Sequence, residues 1–225
     1  MSALGILGGS FNPPHLGHLA LAREAIEELG LDRLLMVPVC LPPHKPPPAD
    51  DPGPAHRVAM CRALADGVER LGVSTLEVDR GGKSYTVDTL EDVHASHPDA
   101  ELTVILGADV ACTLPAWRRP REILELAQVA VAERGEEGSR LGPRGADGVE
   151  SAREECTGER VLAVLSSLDP HARVALLAMP PVPISSTMVR ERLSAGESVE
   201  DLVGAAVAAY IAEHRLYGAA RALAR

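Results

Sequence analysis

The stretch Ala3-Leu4-Gly5-Ile6-Leu7-Gly8-Gly9-Ser10-Phe11-Asn12-Pro13-Pro14-His15-Leu16-Gly17-His18 decides how the rest of the chain is read. Its first five residues are a short apolar run that closes in Gly8-Gly9, the pattern of a buried strand ending in a glycine turn. After the two prolines a helical pattern begins near His15 and runs to Leu29, with Gly30 as its stop. Strand, glycine turn and helix in that order open an α/β sheet.

Working outward, residues 34–39 predict a second strand. The run Pro42-Pro43-His44-Lys45-Pro46-Pro47-Pro48 follows, and prolines at that density forbid helix and central strand, so the segment reads as an extended loop. Helices are predicted over 55–70, 86–97 and 121–127, and strands over 73–78, 102–106 and 128–132. Residues 135–158, dominated by Gly, Glu, Arg and Ser, read as a mobile surface loop. A helical pattern over 161–168, a strand over 174–178 and helices over 187–193 and 199–214 complete the chain. Alternation of this kind predicts an α/β fold, a Rossmann-like doubly wound parallel sheet with helices on both faces. The expectation is one domain over 1–225, with a small C-terminal helical part at about 185–217.

Composition bounds the function. The 225 residues suffice for a sizeable core, and 46% apolar with 24% charged residues is ordinary for a globular protein, which excludes disorder, collagen and coiled-coil arrays. Twenty-two Lys and Arg against 32 Asp and Glu give a net charge of −10, which argues against a nucleic-acid surface but leaves room for a small basic pocket. Aromatics are 2%, so Ala, Val and Leu must fill the core, and the lone Phe11 and lone Trp117 stand out. No apolar stretch reaches the roughly 20 residues of a membrane span. No Lys or Arg precedes Arg23, against a secretory signal. Cys40, Cys61, Cys112 and Cys156 lie far apart without CxxC spacing, which predicts reduced thiols in a cytosolic protein rather than disulfides or a zinc site.

The glycine turn falls at the carboxyl edge of the sheet, where open α/β folds bind ligands. Gly8 and Gly9 allow a phosphate to approach the backbone, and the helix start offers N–H groups and a positive dipole end. His15 and His18, three apart, share one helix face, and Gly17 between them leaves that face open. Two imidazoles aimed at one anion can donate to charge that builds up in a transition state. The same pair also suits a metal site, although no third ligand is obvious, or a purely structural role. His94 and His97 have the same spacing but no glycines, and read as solvated surface.

The pattern Gly9-x-Phe11-x-Pro13-x-His15-x-Gly17-His18 resembles the signature of the HxGH nucleotidyltransferase superfamily, and within it the bacterial nicotinate-nucleotide adenylyltransferases. Ile184-Ser185-Ser186-Thr187-Met188-Val189-Arg190 is similar to the superfamily's second motif. Pro42-Pro43-His44-Lys45, Ser84-Tyr85-Thr86-Val87-Asp88-Thr89-Leu90, and Leu106-Gly107-Ala108-Asp109 followed by Trp117 stand between them in the family's order. The resemblance, from about Leu4 to Tyr217, implies adenylyl transfer from ATP to nicotinate mononucleotide, giving deamido-NAD and pyrophosphate. It implies Mg²⁺ carried by the ATP phosphates, with no metal held by protein side chains.

By the same resemblance, His15, His18, Lys45 and Arg190 are the catalytic candidates. Gly8, Gly9, Ser10, Phe11, Gly17, Ile184, Ser185 and Ser186 join His15, His18 and Arg190 as ATP contacts. His44, Lys45, Tyr85, Thr86, Asp109, Trp117 and Arg134 are the mononucleotide contacts. On residue chemistry alone, Ser186 could simply cap its helix, Phe11 and Trp117 could be packing residues, and Lys45 could be solvated surface. Three positions depart from the family pattern. Asn12 replaces the usual Asp, Val39-Cys40 stands where a small or polar residue is common, and Glu133-Arg134-Gly135 replaces basic-Arg-Pro. The partners implied are small molecules, with no nucleic acid and no membrane; a homo-oligomer stays open. Competing readings keep the chemistry with nicotinamide mononucleotide or phosphopantetheine as acceptor, retain nucleotide binding in an inactive regulator, or make the histidine pair a metal module.

Overall fold

The computed structural model describes residues 2–43, 46–132, 156–180 and 182–221. His44, Lys45, Arg134, the Gly135 departure and most of the predicted loop at 135–158 lie outside them. Six parallel strands, β1 (Ser2–Gly9), β2 (Arg33–Pro38), β3 (Leu71–Val73), β4 (Ala100–Gly107), β5 (Ala127–Ala132) and β6 (Val174–Leu177), form one sheet in the order β3-β2-β1-β4-β5-β6. β1 sits in the middle, with Leu4 opposite Arg33 of β2 and Leu102 of β4. Its buried run from Leu4 to Leu7 is what a strand covered on both faces requires.

Two apolar layers provide that cover. On one face α1 (Leu16–Glu28), α2 (Pro54–Ala65) and the C-terminal helices α8 (Ser186–Ala195), α9 (Glu200–Val203) and α10 (Ala205–Glu213) pack Ala22, Cys61, Val189, Val203 and Ile211 against Leu7 and Met36. On the other, α4 (Thr86–Ser96), α6 (Pro120–Leu126) and α7 (Gly158–Leu168) pack Leu90, Ile123 and Leu165 against Leu4 and Ile6. Successive residues of β4 serve opposite layers: Ile105 belongs to the first, Val104 and Leu106 to the second. The predicted doubly wound sheet is therefore the observed one. Its order reverses between β1 and β4.

Several sequence expectations need correction. The strand expected over 73–78 ends at Val73, where Ser74 N–H donates to Met36 O and the Ser74 hydroxyl accepts from Leu76 N–H. That side-chain bond turns the chain into the short helix α3 (Leu76–Arg80). The helix expected to reach 70 stops at Ala65. The helix expected over 199–214 is two, because Gly204 at φ 81° breaks it between α9 and α10. The expectation of four reduced cysteines fails as well: Cys112 and Cys156 form a disulfide, and Cys40 and Cys61 are free. Those partners are 44 positions apart in sequence but 6.5 Å apart at Cα, a proximity that linear spacing does not reveal. Among the described residues, no helix is long and apolar enough to cross a membrane.

Candidate active site

At the point where the strand order reverses, the carboxyl ends of β1 and β4 frame a cavity of about 370 Å³. Gly8, His15, Gly17 and His18 line it from the β1 side. Gly107 and Asp109 contribute from β4 and the short helix α5 (Ala108–Ala111), and Ile184, Ser185, Ser186 and Met188 from the start of α8.

The histidine pair is built locally. Pro13-Pro14 cannot enter a helix interior, so His15 takes an extended conformation as N-cap and α1 begins at Leu16. His15 and His18 stack at 3.7 Å between ring centroids. The His15 backbone N–H donates to His18 Nδ1 at 3.2 Å, so the neutral His18 ring carries its proton on Nε2. A Cβ at Gly17 would stand 3.0 Å from His15 Nδ1, tight enough that the imidazole would have to give by a few tenths of an ångström. Phe11, 2% exposed, meets His18 edge-on at 5.0 Å. It is a core residue that props the imidazole and does not line the cavity.

Residues from the far end of the chain close the other wall. The Ser185 hydroxyl accepts from Met188 N–H at 3.2 Å and so caps α8, a role the sequence had suggested for Ser186. Ser186 and Arg190, four apart on one face, reach back to the first turn. Ser186 Oγ donates to Pro13 O at 2.8 Å and Arg190 Nη1 donates to Asn12 O at 2.7 Å, across 173 and 178 positions. Arg190 Nε also lies 3.6 Å from Asp50. The first turns of α1 and α8 thus border one cavity, and the positive end of a helix suits an anion.

The residues expected around the acceptor are more scattered. Asp109 lines the cavity; Tyr85, Thr86 and Trp117 do not. Tyr85 is the N-cap of α4, and Arg118 lies 4.8 Å over its ring while pairing with Asp88 at 3.3 Å. Trp117 is half-buried and donates from Nε1 to Thr113 Oγ1 at 3.0 Å. Beside them Arg119 bonds Asp88, Glu91 and Glu122, and holds the Glu91 carboxyl below the ordinary carboxylate range. His94 and His97 are exposed, as expected.

Two further residues were missed by the sequence reading. Arg57 is 1% exposed and donates to Ser10 O, Val39 O and Cys40 O at 3.0, 2.7 and 3.0 Å, and to Asp51 at 3.3 Å. Its signal was present: it shares a helix stripe with Met60, Cys61 and Leu64, all buried. Tyr217 donates to Asn12 Oδ1 at 2.6 Å, and burial pushes its phenol pKa up. That bond gives Asn12, the departure from the family's Asp, a structural partner. At the Val39-Cys40 departure, both carbonyls are taken by Arg57, and Cys40 N–H donates to Ser84 Oγ at 2.9 Å. Among the described residues, no group of three or more His, Cys, Asp or Glu side chains converges as a metal site would need.

Comparison with known proteins identifies the family and the fold. Residues 6–192 match the cytidylyltransferase-like family. A protein from Pseudomonas putida (strain W619), described as a probable nicotinate-nucleotide adenylyltransferase, is 39% identical over 96% of this chain and 95% of its own. One from Gemmatimonas aurantiaca, described in the same words, is 37% identical over 95% of this chain and 92% of its own. The fold matches that of a Plasmodium falciparum nicotinic acid mononucleotide adenylyltransferase complexed with NaAD, with a TM-score of 0.71 at 18% identity, covering 97% and 98% of the two chains.

Proposed function

The chain belongs to the cytidylyltransferase-like family and, within it, to the nicotinate-nucleotide adenylyltransferases, and from that membership we propose that it transfers the adenylyl group of ATP to nicotinate mononucleotide. A phosphate oxygen of the acceptor forms a bond to the α-phosphorus while the bond to the bridging oxygen breaks. Pyrophosphate departs, and deamido-NAD remains for NAD biosynthesis. Both reactants are polyanions, so catalysis consists mainly of positioning and charge stabilisation, and no nucleophilic side chain is needed.

The observation that carries the site assignment is the pair of bonds from Ser186 and Arg190 to Pro13 and Asn12, which sets the histidine pair and the α8 start around one cavity. In the proposed assignment His18 donates from Nε2 to the oxygens of the transferring phosphoryl group, with His15 beside it. Ser185, Ser186, Arg190 and the α8 N-terminus hold the β- and γ-phosphates. Gly8, Gly9 and Ser10 offer backbone to the nucleotide, Ile184 borders the adenosine, and Phe11 acts through His18. On the acceptor side, N–H groups at the start of α4, near Tyr85 and Thr86, meet the nicotinate carboxylate. Trp117 stacks on the pyridine and Asp109 accepts from ribose. Family resemblance alone assigns phosphate roles to His44, Lys45 and Arg134.

Asp109 is the one carboxylate among the cavity-lining residues named above, a donor set that fits a divalent ion brought in on phosphate oxygens rather than one held by the protein. We take that ion to be Mg²⁺, which supplies charge neutralisation on the triphosphate. The test is pyrophosphate release from ATP and Mg²⁺ with nicotinate mononucleotide, nicotinamide mononucleotide and phosphopantetheine offered separately. Turnover greatest with the nicotinate acceptor is expected. Equal or greater turnover with another acceptor reassigns the substrate, and none with any of them leaves an inactive nucleotide binder.

A further inference from the structure

We propose that Arg57 is a positioning residue for adenylyl transfer, its buried guanidinium fixing the turn that carries the nucleotide against the turn that carries the acceptor. The proposal rests on the adenylyl-transfer reading above. Arg57 is 1% exposed and therefore touches neither substrate. Its Nη1 donates to Ser10 O at 3.0 Å and to Val39 O at 2.7 Å, so one nitrogen joins the β1 turn to the end of β2. Nη2 donates to Cys40 O at 3.0 Å. The Cys40 N–H in turn donates to Ser84 Oγ, and Ser84 immediately precedes Tyr85 and Thr86. A continuous path of short bonds therefore runs from Ser10 to the start of α4. On its remaining edge Nε donates to Asp51 Oδ1 at 3.3 Å, and the same oxygen accepts from Gly53 N–H at 2.7 Å, anchoring the proline-rich loop where α2 begins.

The chemistry explains why arginine stands there. A guanidinium presents its donors in a rigid planar fork, so four acceptors from three chain segments must keep fixed relative positions to satisfy it. Lysine offers a mobile point charge and cannot impose that geometry. A buried cation is not in general the most stabilising choice for a core position, because well-packed apolar residues often serve stability as well or better. What the fork supplies is placement. In an in-line transfer between two bound phosphates, a shift of about 1 Å in one partner can cost about 100-fold in rate.

The experiment compares the wild-type protein with Arg57→Lys and Asp51→Asn, using pyrophosphate release from ATP and nicotinate mononucleotide. Thermal melting and equilibrium binding of a non-hydrolysable ATP analogue and of nicotinate mononucleotide, each alone, are measured in parallel. Arg57→Lys is expected to bind each ligand within about threefold of wild type, yet to lose about 100-fold in kcat with little change in either KM. Asp51→Asn keeps the three carbonyl bonds and loosens the fork; it is expected to lose about tenfold in kcat with the same split, and it carries the test alone should Arg57→Lys not fold. Unchanged kcat in a folded variant overturns the proposal. So does a loss confined to one KM, or a loss of binding that tracks a lowered melting temperature. A wild-type protein silent with every acceptor sinks the parent reading and this one together; an active wild type with unaffected variants sinks this one alone.

Discussion

Around Asn12 and Pro13 the chain is tied to α8 by hydrogen bonds of 2.7 and 2.8 Å that span 178 and 173 positions and end on backbone carbonyls. Around Tyr85 and Trp117 the ties are side-chain ion pairs at the surface, such as Arg119 to Glu91 across 28 positions and to Asp88 across 31. The first region is a partly buried seam in which Ser186 and Arg190 donate to backbone carbonyls of the opposite turn. The second is solvated, so its attractions are screened and its long side chains keep alternatives. The difference separates the labour of the site. Under the proposed assignment, nucleotide phosphates meet the tied seam, whereas the acceptor meets the region of surface ion pairs, near which Cys112 and Cys156 are joined.

Mutations can sharpen or break that contrast. The largest effect should come from His18→Ala, which removes the proposed phosphate donor along with its edge contact to Phe11 and the bond from His15 N–H. We expect kcat to fall by about 1,000-fold with only a small drop in the melting temperature, and turnover like wild type would take the residue out of the mechanism. Cys156→Ser opens the disulfide on the acceptor side. Loss of that cross-link should cost about 3 kcal/mol, seen as a melting transition lower by roughly 5–10 °C, while kcat stays near wild type. An equally deep loss of kcat would show that the acceptor side depends on covalent constraint for its chemistry.

Trp117→Ala should raise the KM for the acceptor by about tenfold and leave the KM for ATP alone; the reverse split would place Trp117 on the wrong substrate. Ser186→Ala deletes the bond to Pro13 O. A destabilisation of about 1 kcal/mol and a loss of kcat of a few fold are expected, against no change if the seam is held by other contacts. The smallest effect belongs to Glu91→Gln. Because Arg119 lowers the Glu91 pKa in the folded state, its contribution is present above the ordinary carboxylate range and is lost as pH falls through the lowered value. Melting curves should separate slightly at pH 7 and coincide in strong acid, while a gap that persists in acid would contradict the ion-pair account.

The two regions also differ in how legibly the sequence announces them. Glycine, proline and histidine at fixed offsets describe a turn by local chemistry, so β1, its turn and α1 read correctly, and the spacing of His15 and His18 already places them on one face. The buried strands β4 and β5 declare themselves by continuous apolar runs. Legibility fails where tertiary contacts decide. Val73 to Val78 reads as strand-like by its Val, Thr and Leu content, yet Ser74 ends the strand with a side-chain bond. Cys112 and Cys156 meet because two distant elements pack together. The cap falls on Ser185, one position from the residue expected, since both serines suit the role by type. Arg57 was missed because a charged residue in a helix is read as solvated, although its stripe is apolar.

The most direct test is a crystal structure with a non-hydrolysable ATP analogue and Mg²⁺. The account predicts triphosphate oxygens within hydrogen-bond distance both of His18 Nε2 and of the Ser185, Ser186 or Arg190 donors. A nucleotide bound with its phosphates on one of these two sets and remote from the other would contradict it.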